Sequence, residues 1–215
     1  MKNPQTIPEL AAEICHIGRI VWEKNMVASN DGNISARLPD GNILCTPTNM
    51  SKGFLEESDL VLLDLEGNQI EGARKPSSEV KMHLQIYKDN PKVMGVVHAH
   101  PTFATCYAVA GKAPAIDLVA ETAVLMPKIP VANFAVPSTK AVADSVRGLA
   151  NDSEVCLLEH HGALAWATSL WGAYWNLERL EHVCKLSYFT SVGNLARPMS
   201  TEYVQEIHEV FPVAR

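Results

Sequence analysis

The sequence of 215 residues lacks several features that would place it in a large functional class. Its apolar runs are far shorter than the roughly 20 residues that a membrane-spanning helix needs, which argues against a membrane protein. Residues 1–14 contain no apolar core of a secretory signal peptide. No GxGxxG motif occurs, so a dinucleotide-binding fold is poorly supported.

Basic residues are also in the minority. The 18 lysines and arginines are outnumbered by 24 acidic residues, which gives a net charge of −6. Because binding to a phosphate backbone requires a basic face, this balance disfavours a nucleic-acid partner. A small anionic substrate is not excluded, since it needs only a local pocket.

Cysteines are too few and too widely spaced for a disulfide framework. There are five, an odd number, without a CxxC motif, so we expect reduced thiols and a cytoplasmic protein. Cys106, in a predicted helix, is interpreted as a buried free cysteine. The 47% hydrophobic content is typical of a globular protein, and the absence of repeats and linkers predicts a single domain over residues 1–215.

Hydrophobic periodicity predicts a mixture of helices and strands. The predicted helices cover residues 8–25, 76–89, 101–111, 138–150, 169–192 and 201–210. The predicted strands cover residues 33–38, 42–46, 59–65, 92–98, 127–131 and 155–159. Tight turns such as Asp40-Gly41 join the early strands, so part of the sheet should be antiparallel. The pattern indicates an α/β or α+β fold.

Two histidine pairs lie at predicted strand ends. His98 and His100 are two residues apart in VVHAHP, so in a strand they share a face. His160 and His161 follow the strand that ends in CLLE. Imidazoles from two strands suit zinc, which favours nitrogen ligands. The alternative, histidines that only make hydrogen bonds at strand ends, remains open on this pattern alone.

Three further polar segments are ambiguous when each is taken alone. In PSSE, residues 76–79, the serines fit ordinary helix caps, and Glu79 fits a first-turn acid that favours the helix dipole. A helix start also attracts anions. SNDGNIS and TPTN are either turns beside strands or loops whose amides and hydroxyls hold a phosphate.

Taken in order, GNIS, TPTN, KPSSE, VVHAHP and EHHG resemble the class II aldolase/adducin family over nearly the whole chain. The resemblance implies an α/β fold with a central, largely antiparallel sheet flanked by helices on both faces, in three layers. It also implies a homotetramer with active sites at subunit interfaces. The expected reaction is the reversible cleavage of a ketose 1-phosphate, similar to L-fuculose 1-phosphate, into dihydroxyacetone phosphate and an aldehyde.

The resemblance also assigns roles to residues by motif position. His98, His100 and His161 would bind one Zn²⁺ per chain, or another divalent metal, and His160 would be a structural neighbour. Glu79 would be the catalytic acid/base and a metal ligand when no substrate is bound. The pocket for the substrate's phosphate would be formed by six residues: Gly32, Asn33, Thr48, Asn49, Ser77 and Ser78.

The chain departs from the aldolases of this family at two positions. Asn49 stands where they have glycine, and Leu118 stands at the position where they have a tyrosine proton donor. Glu79 favours carbon–carbon cleavage, because the family's epimerases have aspartate there. The alternatives are a metal-dependent sugar-phosphate 4-epimerase, dehydratase or decarboxylase on the same site, and a non-enzymatic binding module like the adducin branch, which lacks the metal ligands.

Tryptophans and tyrosines suggest weaker candidates for function. Trp166, Trp171 and Trp175 flank the predicted long helix and are interpreted as packing or subunit contacts. Tyr203 and Phe211 lie near the C-terminus, where the family often folds a tail over a neighbouring site, and they are weak candidates for substrate contact.

Overall fold

The computed structural model describes residues 6–211, so residues 1–5 of the N-terminal segment considered above lie outside it. The strands are β1 (Asn33–Arg37), β2 (Ile43–Cys45), β3 (Val61–Leu63), β4 (Gln69–Glu71), β5 (Gly95–Ala99), β6 (Val131–Ala132), β7 (Val155–Leu158) and β8 (Gly162–Ala167). The helices are α1 (Ile7–Glu23), α2 (Val80–Asp89), α3 (Thr102–Val109), α4 (Ala120–Leu125), α5 (Lys140–Ser145), α6 (Leu170–Val192) and α7 (Thr201–Val210). None of these helices is long and apolar enough to cross a lipid bilayer.

The strands form one sheet in the order β4-β3-β2-β1-β5-β8-β7-β6. Every neighbouring pair is antiparallel except β6 and β7. The predicted fold class, a largely antiparallel sheet in an α/β protein, is therefore confirmed. β5 lies at the centre of the sheet, between β1 and β8.

Helices cover both faces of the sheet because its central strands are apolar on both sides. In β5, Val97 and Ala99 pack into the core that also contains residues of α1, α3 and α6. Val96 points the other way, into the core shared with α2 and α5. Alternate residues of a strand face opposite sides, so the apolar side chains of β5 are buried on both faces only because helices cover both.

Sequence periodicity misses three elements: β4, β8 and α4. β8 alternates Ala163, Ala165 and Ala167 with Leu164 and Trp166. Alanine is depleted in strands, so the segment carries a weak signal by itself. Pairing with β5 on one side and β7 on the other stabilises it as a strand. Trp166 is therefore a buried core residue of β8, and only Trp171 and Trp175 belong to the long helix.

Other predicted boundaries were wrong for local reasons. α2 begins at Val80 rather than at Pro76, because Pro76 bridges to Pro47 and Ser78 and Glu79 form a turn before the helix. Ser138 does not cap α5, since its φ of 67° is left-handed and the helix begins at Lys140. The predicted strand over residues 127–131 shrinks to Val131–Ala132, since prolines at 127 and 130 cannot donate to a sheet. Cys106 is exposed, not buried as predicted.

Candidate active site

The histidines meet at one end of the central strands. β5 carries His98 and is followed by His100, and the register places His98 opposite Leu164 of β8. His161 lies in the tight turn between β7 and β8, where its backbone N–H donates to the carbonyl of Leu158 at 2.9 Å. The antiparallel pairing of β5 with β8 brings that turn beside the end of β5.

The three imidazoles of His98, His100 and His161 form a compact cluster. The ring centroids lie 4.9 Å apart for His98 and His100, 4.7 Å for His98 and His161, and 5.2 Å for His100 and His161. One ring nitrogen from each lies within 4.8 Å of the others. His160, at a left-handed φ of 55°, is exposed and packs against Phe134 outside this cluster.

The Nδ1 atoms of His98 and His100 have partners outside the cluster, and these partners orient the two rings. His98 Nδ1 lies 2.9 Å from the carbonyl of Ala163 and donates to it, because a carbonyl only accepts. The neutral ring then keeps its lone pair on Nε2, which lies 3.1 Å from His100 Nε2. His100 Nδ1 lies 3.4 Å from Asp31 Oδ2. Partners of this kind fix the tautomer of a metal-ligating histidine.

Burial keeps these imidazoles neutral. It is the largest cause that lowers the pKa of each of the three rings, and His98 is affected most because it is fully buried. A positive charge on one imidazole would also repel a positive charge on the next, and this repulsion lowers the pKa of His98 and His100 further. Since a metal binds the neutral form of histidine, the cluster is ready to bind a cation near neutral pH.

Glu79 completes the cluster from the start of α2. Its Oε2 lies 3.5 Å from His98 Nε2, and its Oε1 lies 3.2 Å from His161 Nε2. The Nδ2 of Asn33 donates to Oε2 at 3.3 Å. The side chain is only 14% exposed, and burial raises the pKa of its carboxyl group. A carboxyl group with a raised pKa is suited to proton transfer near neutral pH.

The donor set fits a divalent metal such as zinc. Ligands at 2.0–2.1 Å in a tetrahedron lie about 3.4 Å apart, close to the separations of His98, His100 and Glu79 described above. Glu79 Oε1 and Asn33 Oδ1 are buried, and neither has a hydrogen-bond partner among residues 6–211. One oxygen of the Glu79 carboxylate therefore has no hydrogen-bond donor among these residues. This carboxylate and the three imidazoles are in position to hold a cation.

A glycine leaves room for one of the imidazoles. A Cβ atom added to Gly162 would lie 2.5 Å from His100 Cδ2 and 2.7 Å from the carbonyl of Ala99. Both distances are shorter than a Cβ tolerates, so a side chain would displace the His100 ring. Glycine directly after His161 is thus a steric requirement of the histidine cluster.

We therefore expect Gly162→Ala to weaken zinc binding by about 10–100-fold, the range seen when the support of a metal ligand is lost. Titration of metal-free protein with zinc against a chromophoric chelator measures this. Circular dichroism controls for loss of the fold. Unchanged zinc affinity in a folded variant would contradict the steric role.

Three loops beside the histidines are joined by backbone hydrogen bonds. Thr48 N–H donates to the carbonyl of Lys75 at 3.0 Å, and Ser77 N–H donates to that of Thr46 at 3.2 Å. Thr46 in turn binds Ile34 of β1 through both its N–H and its hydroxyl. These bonds bring together the residues expected to bind phosphate: Gly32, Asn33, Thr48, Asn49, Ser77 and Ser78.

The six residues differ in exposure. Gly32, Asn33 and Ser77 are buried, Thr48 is partly buried, and Asn49 and Ser78 are exposed. Asn49 has a φ of 58°, a conformation in which asparagine is the best-tolerated residue after glycine. This backbone explains how asparagine can stand where the family resemblance leads us to expect glycine. Ser78 Oγ is hydrogen-bonded to Ser138 Oγ at 2.8 Å.

Sequence reasoning missed two charged residues near the site, Asp31 and Lys52. Asp31 lies inside the SNDGN segment, where only its carboxylate next to a loop glycine could have drawn attention to it. Lys52 lies in a short 3₁₀ helix over Lys52–Phe54 and is 1% exposed. No sequence pattern predicts a buried lysine, because burial depends on the packing of distant segments.

Comparison with known proteins gives a consistent family assignment. The model of the class II aldolase and adducin N-terminal domain matches residues 12–188. An L-fuculose phosphate aldolase from Methanococcus maripaludis is 34% identical over 178 residues, which are 82% of this chain and 94% of the relative. A 3-oxo-tetronate 4-phosphate decarboxylase from Haemophilus influenzae is 33% identical over 195 residues, which are 89% and 92% of the two chains.

Solved structures agree with the sequence relatives. YgbL from Klebsiella pneumoniae superposes with a TM-score of 0.88 at 30% identity, covering 95% of this chain and all of that one. Its description names aldolase, epimerase and decarboxylase reactions. An L-fuculose 1-phosphate aldolase superposes with a TM-score of 0.86 at 28% identity, covering 94% and 96% of the two chains.

Proposed function

We propose that this chain, which belongs to the class II aldolase and adducin family, is a zinc-dependent lyase. It would cleave a carbon–carbon bond in a phosphorylated sugar. The observation that carries the proposal is the Glu79 carboxylate, 3.5 Å from His98 Nε2 and 3.2 Å from His161 Nε2, in a partly buried cluster of three neutral histidines. This arrangement pairs a cation site with a group that can transfer protons.

The residues would divide the work as follows. His98, His100 and His161 would hold the ion, which when bound would supply a Lewis acid for negative charge on the oxygens of a hydroxyketone. Glu79 would transfer a proton to or from the carbon next to the carbonyl. Asn33 orients that carboxylate through its Nδ2. The hydroxyls and amides of the three loops at 30–33, 46–50 and 75–79 would hold the phosphate.

The leading candidate reaction is retro-aldol cleavage of a ketose 1-phosphate. The bond between C3 and C4 breaks, the C4 hydroxyl gives its proton to solvent water, and C4 leaves as an aldehyde. The electron pair remains on the enediolate of dihydroxyacetone phosphate. Glu79 then delivers a proton to C3. The L-fuculose phosphate aldolase relative supports this candidate, and so does a glutamate at position 79 rather than the aspartate of the epimerases.

The second candidate is decarboxylation of a 3-oxo sugar acid phosphate. Loss of CO₂ from 3-oxo-tetronate 4-phosphate leaves the same three-carbon enediolate and gives the same product, dihydroxyacetone phosphate. This reaction needs no group to remove a proton from a leaving alcohol. Leu118, which stands in place of the aldolases' tyrosine, therefore favours it, as does the decarboxylase relative at 33% identity.

The by-product separates the two candidates. The zinc-loaded protein should be offered ketose 1-phosphates and 3-oxo-tetronate 4-phosphate, with dihydroxyacetone phosphate, aldehydes and CO₂ measured together. Dihydroxyacetone phosphate formed with an equal amount of aldehyde identifies an aldolase. Dihydroxyacetone phosphate formed with an equal amount of CO₂ identifies a decarboxylase. Isomerised substrate without cleavage would support an epimerase, and loss of water a dehydratase. No turnover of any substrate would support a binding module.

Two expectations from the family resemblance are part of the same proposal. They are zinc as the metal in the cell and a homotetramer whose active sites lie at subunit interfaces, to which the cysteine pattern adds a location in the cytoplasm. Light scattering tests the assembly, and metal analysis of protein purified without added metal tests the ion.

A further inference from the structure

Lys52 is a buried lysine that the proposed chemistry does not use. Its ammonium group donates to the backbone carbonyl of Asn30 at 2.8 Å and to that of Met50. Asn30 belongs to the loop that leads to Gly32 and Asn33, and Met50 follows Thr48 and Asn49. One cation therefore joins two of the three loops that would hold the phosphate.

Among residues 6–211, no carboxylate forms an ion pair with Lys52, although the negative charges of Asp31 and Glu79 act on it from a greater distance. An ammonium group has three N–H donors, and the two described acceptors are neutral carbonyls. A buried charge without a paired opposite charge is strongly unfavourable. α1 packs on the 3₁₀ helix that contains Lys52. The residues of α1 that contact this segment, Gly18 and Trp22, carry no charge.

The substrate would bring the missing negative charge. A phosphate monoester carries a charge between about −1.5 and −2 near pH 7. It would enter a site where the acidic side chains Asp31 and Glu79 already lie close to one another and repel an anion. The side chains expected to contact the phosphate are neutral hydroxyls and amides. A cation close to these loops would offset the repulsion.

We propose that the Lys52 ammonium is the positive charge that makes these loops select a phosphate dianion. It is a positioning residue, because it acts through the loops of Asn30 and Met50 that it joins. This inference rests on the proposed phosphate pocket and adds to it a charged group that the neutral pocket residues do not supply.

The protonation of Lys52 agrees with this role. Burial lowers its pKa to about 8, while the negative charges of Asp31 and Glu79 partly oppose that shift. Lys52 is therefore charged at neutral pH and loses its proton as the pH rises through about 8. Since a bound dianion stabilises the charged form, phosphate binding should weaken over this range.

Two substitutions separate the charge from the hydrogen bonds. Lys52→Met removes both, whereas Lys52→Gln removes the charge and keeps an amide that can donate to carbonyls. Lys88→Met is the matched control, because it removes one positive charge from an exposed position on α2. The probe is methyl phosphate, titrated calorimetrically into zinc-loaded protein at pH 7.5. Zinc affinity is measured separately for every variant.

We expect both Lys52 variants to bind methyl phosphate at least about tenfold more weakly than the unmodified protein, with zinc affinity changed by less than twofold. We expect the methyl phosphate affinity of Lys88→Met to stay within twofold of the unmodified protein. Wild-type affinity should fall between pH 7 and 9.5, where the probe keeps its charge because its second pKa is about 6. Methyl phosphate binding within twofold of wild type in Lys52→Gln, or a flat wild-type profile, would overturn the inference. The pH profile needs no variant, so it decides the matter even if both variants misfold.

The proposed function fails in a different way from this inference. If the unmodified protein cleaves a sugar phosphate and binds methyl phosphate, but the Lys52 variants bind it equally well, only the role of Lys52 is wrong. If the unmodified protein neither binds methyl phosphate nor cleaves any sugar phosphate, the phosphate pocket and the proposed function both fail.

Discussion

Replacement of His161 by alanine is expected to abolish metal binding and lyase turnover together. The change removes one of the three imidazoles proposed to bind the ion and leaves His98, His100 and Glu79, of which Glu79 is proposed to act on the substrate. Loss of an indirect partner of a ligand already costs 10–100-fold in metal affinity, so loss of a ligand should exceed 100-fold. Zinc per chain after dialysis and the cleavage rate measure the two effects on one sample.

The neighbouring histidine provides the control for this prediction. His160 is exposed, lies outside the cluster and has a left-handed backbone that asparagine tolerates. His160→Asn should therefore keep wild-type zinc content and a wild-type rate. If His161→Ala also retained one tightly bound zinc and full turnover, the three-histidine site would not be the catalytic site.

Glu79→Gln is expected to separate metal binding from catalysis. Glutamine keeps the shape of the side chain and its hydrogen bond to Asn33, but it cannot exchange protons with a substrate carbon. General acid–base groups contribute about 10²–10⁴-fold to rate, which corresponds to roughly 3–5 kcal/mol of activation free energy. We expect kcat to fall by that factor, KM to change little, and zinc content to remain about one per chain.

Steady-state kinetics of Glu79→Gln should be compared with those of Glu71→Gln. Glu71 lies on the exposed edge strand β4, so its substitution removes a carboxylate of the same type without touching the cluster. Wild-type kcat in Glu79→Gln would show that another group transfers the proton. Loss of zinc in this variant would instead show that Glu79 is needed mainly as a ligand.

The fold was predictable wherever local pattern and burial agree. α1 and α6 carry clear apolar stripes and were predicted to within about two residues of their ends. β8 was not, because its alternating alanines carry no strand signal until β5 and β7 pair with it. The start of α2 was also wrong, because the bridge between Pro47 and Pro76 is a contact between distant segments that the local sequence does not encode.

The candidate site was partly predictable for a related reason. The spacing of His98 and His100 places both side chains at one strand end, and motif order added His161 and Glu79. What the pattern could not reveal is which segments lie near one another in the fold. Asp31 faces His100 and Lys52 joins two loops only after those loops fold together. The clearance between Gly162 and His100 likewise exists only in three dimensions.

The most direct test of zinc-dependent cleavage is to titrate metal-free protein with zinc while following cleavage of a sugar phosphate to dihydroxyacetone phosphate. We expect no cleavage in the metal-free protein, a linear rise with added zinc, and saturation at one zinc per chain. Cleavage that persists in the presence of a strong chelator, in protein shown to contain no metal, would contradict this expectation.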